Sequence, residues 1–567
     1  MMIMNNWYCL FGVMPKYRRA IKTLQFPALL LAALCMVGLF PFFSYAAVND
    51  FQSVEKQLSQ RNFTKKQQAI EWVIHAQPSQ TATLLKGLIA GDVFYHRKNN
   101  QLFFIEQLKQ GDTATRLFDN SQVVIDNKRD FRKVGLNNRL RSTIRIGIAK
   151  IELSAESDAE RLSAAKRLLG NSSDAVISLV EEAYPKETSE QVKDYLALIL
   201  AMDRLTREPL ESDDSTLRLQ AIETLSDSLE PSVFRAINSA LDVELAKASP
   251  DTVLVKELEQ AVASYEQSQR VYNVAETLFF GLSLGSVLVL AGIGLAITFG
   301  VMGVINMAHG ELIMLGAYTT YVMQQLLPNQ IGLSLVLSIP VAFVVSGLVG
   351  IAIERGVIRF LYGRPLETLL ATFGISLILQ QAVRTIFSPL NRSVSTPDWM
   401  TGMLEINPML SLTYNRLYII IFCLFVFTAL VLVLKKTPLG LQVRAVSQNR
   451  AMAKAMGVRS EWVDAMTFGL GSGVAGVAGV ALSQLTNVGP NMGQSYIIDS
   501  FMVVVFGGVG NLWGTLVAGL SLGMFNKLLE PWAGAVLAKI LVLVFIILFI
   551  QKRPRGLFPQ RGRAVEG

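Results

Sequence analysis

The chain reads as an all-α polytopic membrane protein of about eight transmembrane spans, one of them a candidate re-entrant segment, with an exported soluble N-terminal domain. Three observations lead there. Hydrophobic residues make up 51% of the chain, and their long runs crowd into the region after residue 277 while residues 47–275 stay soluble in character. Basic residues fall in alternate loops between those runs. The first 46 residues have the outline of an export signal.

That signal has a basic region (Lys16, Arg18, Arg19, Lys22), an apolar core from Phe26 to about Phe43, and the small-residue pattern Ser44-Tyr45-Ala46 before Ala47. Residues 1–46 are therefore a signal peptide, or an uncleaved anchor because the core is long; either one exports the soluble region from residue 47 onward. Within 47–135, the stretch LLKGLIAGDVFYHRKNNQLFFIEQL predicts two short strands around the Lys98-Asn99-Asn100 turn, giving a small mixed α/β region. Within 136–275, AERLSAAKRLLGNSSDAVISLVEEAY and STLRLQAIETLSDSLEPSVFRAINSAL share a helix-turn-helix form and predict degenerate HEAT-like repeats, although an ordinary helical bundle gives a similar pattern. His75 and His96 stand alone and suggest structural roles. Cys9, Cys35 and Cys423 are scattered, so neither a disulfide framework nor a metal site is built from them.

The transmembrane domain covers 276–559, with spans near 277–299, 311–327, 331–353, 366–388, 416–434, 464–485, 497–508 joined to 512–528, and 534–551; residues 560–567 form a tail. The run 497–508 is short enough to be a half-helix or re-entrant piece, tolerable only where it faces protein or a cavity. Basic loops at Arg355, Arg359 and Arg364, at 435–459 and at 552–563 fall on one side, which the positive-inside bias makes the cytoplasm. Counting back, the first span starts outside, in agreement with export of the N-terminal domain. The formal net charge of +8 thus follows membrane topology and does not mark a nucleic-acid partner.

No enzyme signature is present. The sequence has no Gly-Lys pair, so a P-loop is excluded and the chain has no ATPase site of that kind. The G-x-G-x-x-G at Gly471, Gly473 and Gly476 lies in a membrane span without a βαβ context; with Gly469 and Gly479 it serves close helix packing.

Two polar stretches stand out. Thr437–Met466 is a basic loop opened by Pro438 and Gly440 and closed by Gly457, predicted as a short amphipathic helix whose face carries Ala445, Met452 and Met456. A partner docking there could push on the bundle; the plainer reading, a solvated loop, leaves that apolar face unexplained. The second is Gly300–Tyr318, where Asn306, His309 and Glu311 form either a gate or pathway mouth or a cytoplasmic turn that caps the next helix. Topology puts this knot at the inner surface. Gln380 and Gln381 are candidates for a pore lining or for helix-to-helix hydrogen bonding, and Arg384 comes one turn later. Asp499, Lys527, Glu530 and Lys539 fall at or near span ends, where snorkelling is the plain reading and the preferred one for Lys527 and Glu530, and no midplane carboxylate is evident.

The membrane half, from 277 to about 559, resembles the permease subunits of the branched-chain amino acid ABC transporter family through GVINMAHGELIMLGAY, GLQVRAVSQNRAMAKAMGV, FGGVGNLWGTLVAG and RPRGLF. With its soluble extension the chain looks like the urea-type permease subunit of that family. The resemblance implies a second homologous permease subunit, two cytoplasmic ATPase subunits that consume ATP, a periplasmic solute-binding protein and a lipid bilayer as partners, with no cofactor on this chain. It maps the family's coupling segment onto Gly440, Arg444, Ala445, Gln448, Asn449, Ala453 and Gly457. The expectation is an inner-membrane permease importing urea or a close small amide by alternating access, the alternative substrate being a branched-chain amino acid. A membrane-anchored sensor and an ion-coupled carrier are rival classes; the latter requires a buried carboxylate and an inverted repeat. The exported domain is either a receptor for the binding protein or a structural cap.

Overall fold

The computed structural model describes residues 51–558 apart from 77–79, 107, 118 and 208–213. The signal segment and the tail lie outside the described residues. Two compact units meet in sequence at Glu208/Pro209.

In the first unit, helices α1 (Phe51–Leu58), α2 (Phe63–Ala76), α3 (Thr81–Ala90) and α4 (Asn138–Leu153) enclose a core that includes Val54, Leu58, Ile70, Leu85 and Ile144. Between α3 and α4 the chain forms β1 (Val93–His96), β2 (Leu102–Phe104), β3 (Thr113–Arg116), β4 (Gln122–Val124) and β5 (Phe131–Lys133), an antiparallel sheet of order β4-β3-β2-β1-β5. The expected hairpin is β1–β2, in register Phe94↔Phe103, and Asn100 takes the left-handed backbone its turn needs at φ 59°. Three further helices, α5 (Asp158–Leu168), α6 (Asp174–Ala183) and α7 (Glu190–Thr206), pack through Ala164, Val176, Val180 and Leu196.

The second unit begins with α8 (Asp214–Ser226) and α9 (Pro231–Leu245), then α10 (Thr252–Met302). The domain boundary drawn at 275/276 falls inside α10, a single 51-residue helix whose Leu254, Leu258, Ala261 and Tyr265 are buried and whose Phe234–Tyr265 stack has a centroid distance of 4.2 Å. The change from soluble to apolar composition is a change of environment along one helix, not a break in it. Consequently the two sequence copies that suggested one repeat domain lie in different units.

The bundle continues with α11 (His309–Leu326), α12 (Ile331–Gly356), α13 (Pro365–Phe387), the hairpin β6 (Met403–Asn407) and β7 (Leu410–Thr413), α14 (Tyr414–Lys436), the short α15 (Pro438–Gln448) and α16 (Arg450–Ala455), then α17 (Ser460–Ser483), α18 (Met492–Gly507) and α19 (Leu512–Lys552). Among the described residues six helices are long and apolar enough to cross a membrane: α10, α12, α13, α14, α17 and α19. α18 has 16 residues, about 24 Å of rise, which is short of a bilayer core of about 30 Å. α19 divides at Gly534, whose φ of 75° and ψ of 160° leave the helical region and suit glycine.

α10–α13 and α17–α19 are built alike with opposite direction. α10 runs antiparallel to the first half of α19, with Gly281 on Met524, Gly285 on Leu520 and Gly300 on Gly510; α17 runs antiparallel to α12, with Gly476 on Ala342 and Gly469 on Ile351. The short α11 and α18 hold equivalent places, and two glycine pairs, Gly294 with Gly471 and Gly310 with Gly493, each bring a residue against its own counterpart. This is an inverted repeat around a pseudo-twofold axis. The loops at 357–364, 437–459, 508–511 and 553–558 gather at two regions of one end: Arg359 pairs with Glu461 at 3.2 Å, the Arg450 guanidinium lies 3.9 Å from the Tyr362 ring, and Asn511 donates to the Phe558 carbonyl at 3.2 Å.

Candidate functional site

The polar knot is set by where α10 stops. Gly303, in the left-handed region at φ 68°, ends α10 and turns the chain back, and Asn306 closes an Asx turn by accepting the Ala308 amide at 3.0 Å. The chain then climbs beside α13, where the Thr372 hydroxyl accepts the Met307 amide at 3.1 Å. The His309 Nε2 lies 2.8 Å from the Ala291 carbonyl, and the Ser376 hydroxyl donates to Glu311 at 3.1 Å. Ala291 and Ser376 are well inside their helices. The knot therefore sits about halfway up the bundle and not at an inner-surface turn, because the 303–308 loop folds back into the interior.

Asn306, His309 and Glu311 are all buried, and Asn306 Nδ2, His309 Nδ1 and Glu311 Oε2 have no hydrogen-bond partner among the described residues. Glu311 is in the first turn of α11, and its free oxygen lies against Gly493 in the first turn of α18, so two helix N-termini face one carboxylate. Asp499 also departs from its span-end expectation: it is buried on α18 and paired at 3.1 Å with Lys539 of α19. Both elements that the carrier class requires, an inverted repeat and an interior carboxylate, are thus present. Sequence reading missed Glu311 as an interior carboxylate because the return loop shifts α11 inward relative to a span count.

The adjacent glutamines separate. Gln380 is buried and donates to the Pro490 carbonyl at 3.2 Å and to Asn491 Oδ1 at 3.1 Å, holding the start of α18. Gln381, about a quarter-turn further round α13, is exposed.

The basic loop forms two helices in place of one. Asn449, with φ −149° and ψ 100°, breaks the chain and caps α16 by accepting the Met452 amide at 2.9 Å; Thr437 caps α15. Gly440 packs against the Leu434 backbone, and Arg444 donates to the Leu434 carbonyl at 2.7 Å. Val443, Val446 and Ala453 are buried with Val463 of α17, and Ala445 is half-buried against them. Met452 and Met456 are 60% and 78% exposed, with Leu441 at 63%, so the predicted face is split: Ala445 turns inward while the methionines face out. Gln448 is exposed, and Gly457, at φ 86°, ends the segment. Arg450 forms an ion pair with Asp464, fixing α16 to the first turns of α17.

Residues 277–550 match a family model described as branched-chain amino acid transport system / permease component. The chain is 28% identical over 296 residues to the high-affinity branched-chain amino acid transport system permease protein BraD of Pseudomonas aeruginosa, covering 51% of this chain and 96% of that protein. It is 29% identical over 301 residues to the corresponding LivH of Escherichia coli, covering 51% and 97%. A shorter similarity, 32% over 108 residues, covers 18% of this chain and 34% of the ribose import permease protein RbsC of Bacillus subtilis. No solved structure matches. These similarities support the branched-chain amino acid permease family for the membrane half.

Proposed function

We propose that this chain is a permease subunit of an ATP-driven importer in the inner membrane, taking its energy from separate ATPase subunits and its solute from a binding protein. The observation that carries this reading is the match of residues 277–550 to the permease family, together with relatives matched over nearly their whole length. Six apolar helices and the concentration of Arg and Lys at one end support a multi-pass protein with that end in the cytoplasm. By the same orientation the N-terminal unit is exported, where it receives the binding protein or caps the bundle.

The relatives' names favour a branched-chain amino acid over the urea expected from the soluble extension. Uptake of labelled leucine and labelled urea, in cells with and without the chain, tests the substrate: loss of leucine uptake alone supports the amino acid, and loss of urea uptake alone returns the reading to urea.

Coupling is assigned to α15 and α16. Leu441, Met452 and Met456 present an exposed apolar surface outside the bundle, and Val443, Val446 and the Arg450–Asp464 pair connect it to α17. Arg444 and Asn449 hold this segment's own fold, so acidic replacements there would confound docking with unfolding. Met452→Asp with Met456→Asp is the sharper test. Membrane insertion with loss of ATP-dependent uptake supports coupling; normal uptake rules it out.

The inverted repeat with its interior Glu311 and Asp499 favours one second reading, an ion-coupled carrier. Uptake that survives ATP depletion and collapses with an uncoupler would establish it.

A further inference from the structure

The first unit distributes its charge unevenly. Arg116, Arg161, Arg167 and Arg207 each reach a carboxylate, as do Lys86 and Lys186. Residues 128–150 depart from that pattern, with eight Lys and Arg against one acid, Asp130. Arg132, Lys133, Arg139, Arg141 and Arg145 are all exposed, and among the described residues none of them has a carboxylate within ion-pair distance.

Local rules disfavour these positions. α2 and α4 both begin without an acid in the first turn, where the helix dipole favours one, and carry Lys65 and Lys66, or Arg139 and Arg141, instead. Arg141 and Arg145 stand one turn apart, a like-charge spacing that weakens a helix. Charges held against local preference mark a surface kept for contact with something else.

Lys66 links the pieces into one surface. Its ammonium, itself buried, donates to the Gly135 carbonyl at 2.7 Å and lies 5.6 Å from the centre of the Phe63 ring. Burial, and after it the charge of Arg132 on β5, hold Lys66 below its ordinary value, which places Arg132 beside it. β5 is the edge of its sheet. Arg139 follows Gly135 by four residues, at most about 14 Å of chain. Phe63 is 46% exposed among these cations.

The cations spread over two helix starts and a sheet edge instead of converging on a cavity, which fits an extended anionic surface and not a single small anion. An exposed aromatic ring among Lys and Arg is the composition that settles at a headgroup layer, ring inward and charges outward. The bilayer lies beside this unit on whichever side the unit stands, because the same chain crosses it.

We propose that the face formed by the starts of α2 and α4 and the edge strand β5 rests on the phosphates of anionic phospholipids, with Lys65, Arg132 and Arg139 reaching the headgroups and Phe63 the layer beneath them. From the reading above this takes only that the chain spans a membrane; it holds for any solute and any energy source.

The full chain is tested in lipid nanodiscs, with Cys9, Cys35 and Cys423 replaced by alanine and one spin label on Thr64→Cys, beside Phe63, or on Gln191→Cys of α7 as the control. In discs with about one third phosphatidylglycerol, collision of label 64 with a water-soluble nickel chelate is expected to fall about fivefold relative to discs of neutral phosphatidylcholine, and to recover at about 0.5 M salt. Label 191 is expected not to change. Arg132→Glu with Arg139→Glu should abolish the protection, and Arg132→Lys with Arg139→Lys should keep it, which separates charge from packing. Equal collision rates at 64 in the two lipids overturn the proposal, as does protection that survives the double reversal. Protection in neutral discs by inorganic phosphate would make the patch a free-anion site, and protection there only on adding the solute-binding protein would make it a protein interface; either result overturns the bilayer contact. Protection of label 64 without ATP-dependent uptake would leave this contact standing while the importer reading fails.

Discussion

Gly294 of α10 and Gly471 of α17 meet backbone to backbone, and each would drive an added Cβ into the other's carbonyl oxygen. The contact is reciprocal because the two residues are counterparts in the inverted repeat. It is also where His309 closes in, its Cε1 standing 2.9 Å from a Cβ placed on Gly294.

Gly294→Ala should therefore destabilise the bundle, since two backbones must separate; a cost of about 1–3 kcal/mol is typical of overpacking. Gly374→Ala is the control, because nothing lies within 4 Å of a Cβ there, and its helix propensity should improve. Thermal unfolding in detergent is expected to show a lowered midpoint for the first variant and none for the second. Equal midpoints would remove the axial contact from the account.

The Arg450–Asp464 pair makes a second prediction. Asp464 is buried, so Arg450→Ala leaves a carboxylate without its counter-charge, a loss of about 3–5 kcal/mol for such pairs. Asp464→Asn should be milder, and the double variant less harmful than the sum of the two. A double-mutant cycle read by ATP-dependent uptake checks this; strict additivity would show that the two residues do not act together.

Tyr265 tests the continuity of α10. It is buried and stacked on Phe234, so Tyr265→Ala should cost about 3 kcal/mol and loosen α8 and α9 from the helix. Hydrogen exchange across 214–245 is expected to accelerate while the membrane helices stay protected. Unchanged exchange would mean that the stack does not hold these helices.

The first unit makes a pH prediction. Burial raises the Glu187 carboxyl, but hydrogen bonds from Arg161 and from the Ser189 and Thr188 amides outweigh it and hold the group below its ordinary value of 4.5. A depressed carboxyl stabilises the fold above its unfolded value, and that contribution fades as pH falls through the folded value. Glu187→Gln should lower the unfolding midpoint of this unit at about pH 7, with the gap to the parent protein closing below about pH 4. A gap independent of pH would assign the loss to packing instead of charge.

The sequence by itself determined the soluble-to-apolar division, the apolar segments, the β1–β2 hairpin and the polar character of the 300–318 and 437–466 stretches. These are local properties: hydrophobic run length, turn residues such as Asn100, and charge per loop. The tertiary structure decided what those segments do to one another. A span count could not show that Gly303 turns the chain back and lifts His309 and Glu311 into the bundle, nor that Gln380 faces Asn491 while its neighbour Gln381 faces out. Helical periodicity joined Ala445, Met452 and Met456 because it assumed one helix; Asn449 makes two. The inverted repeat was hidden for the same reason: antiparallel packing relates residues by direction and depth, and only close backbone contacts such as Gly294 with Gly471 and Gly310 with Gly493 fix which positions correspond.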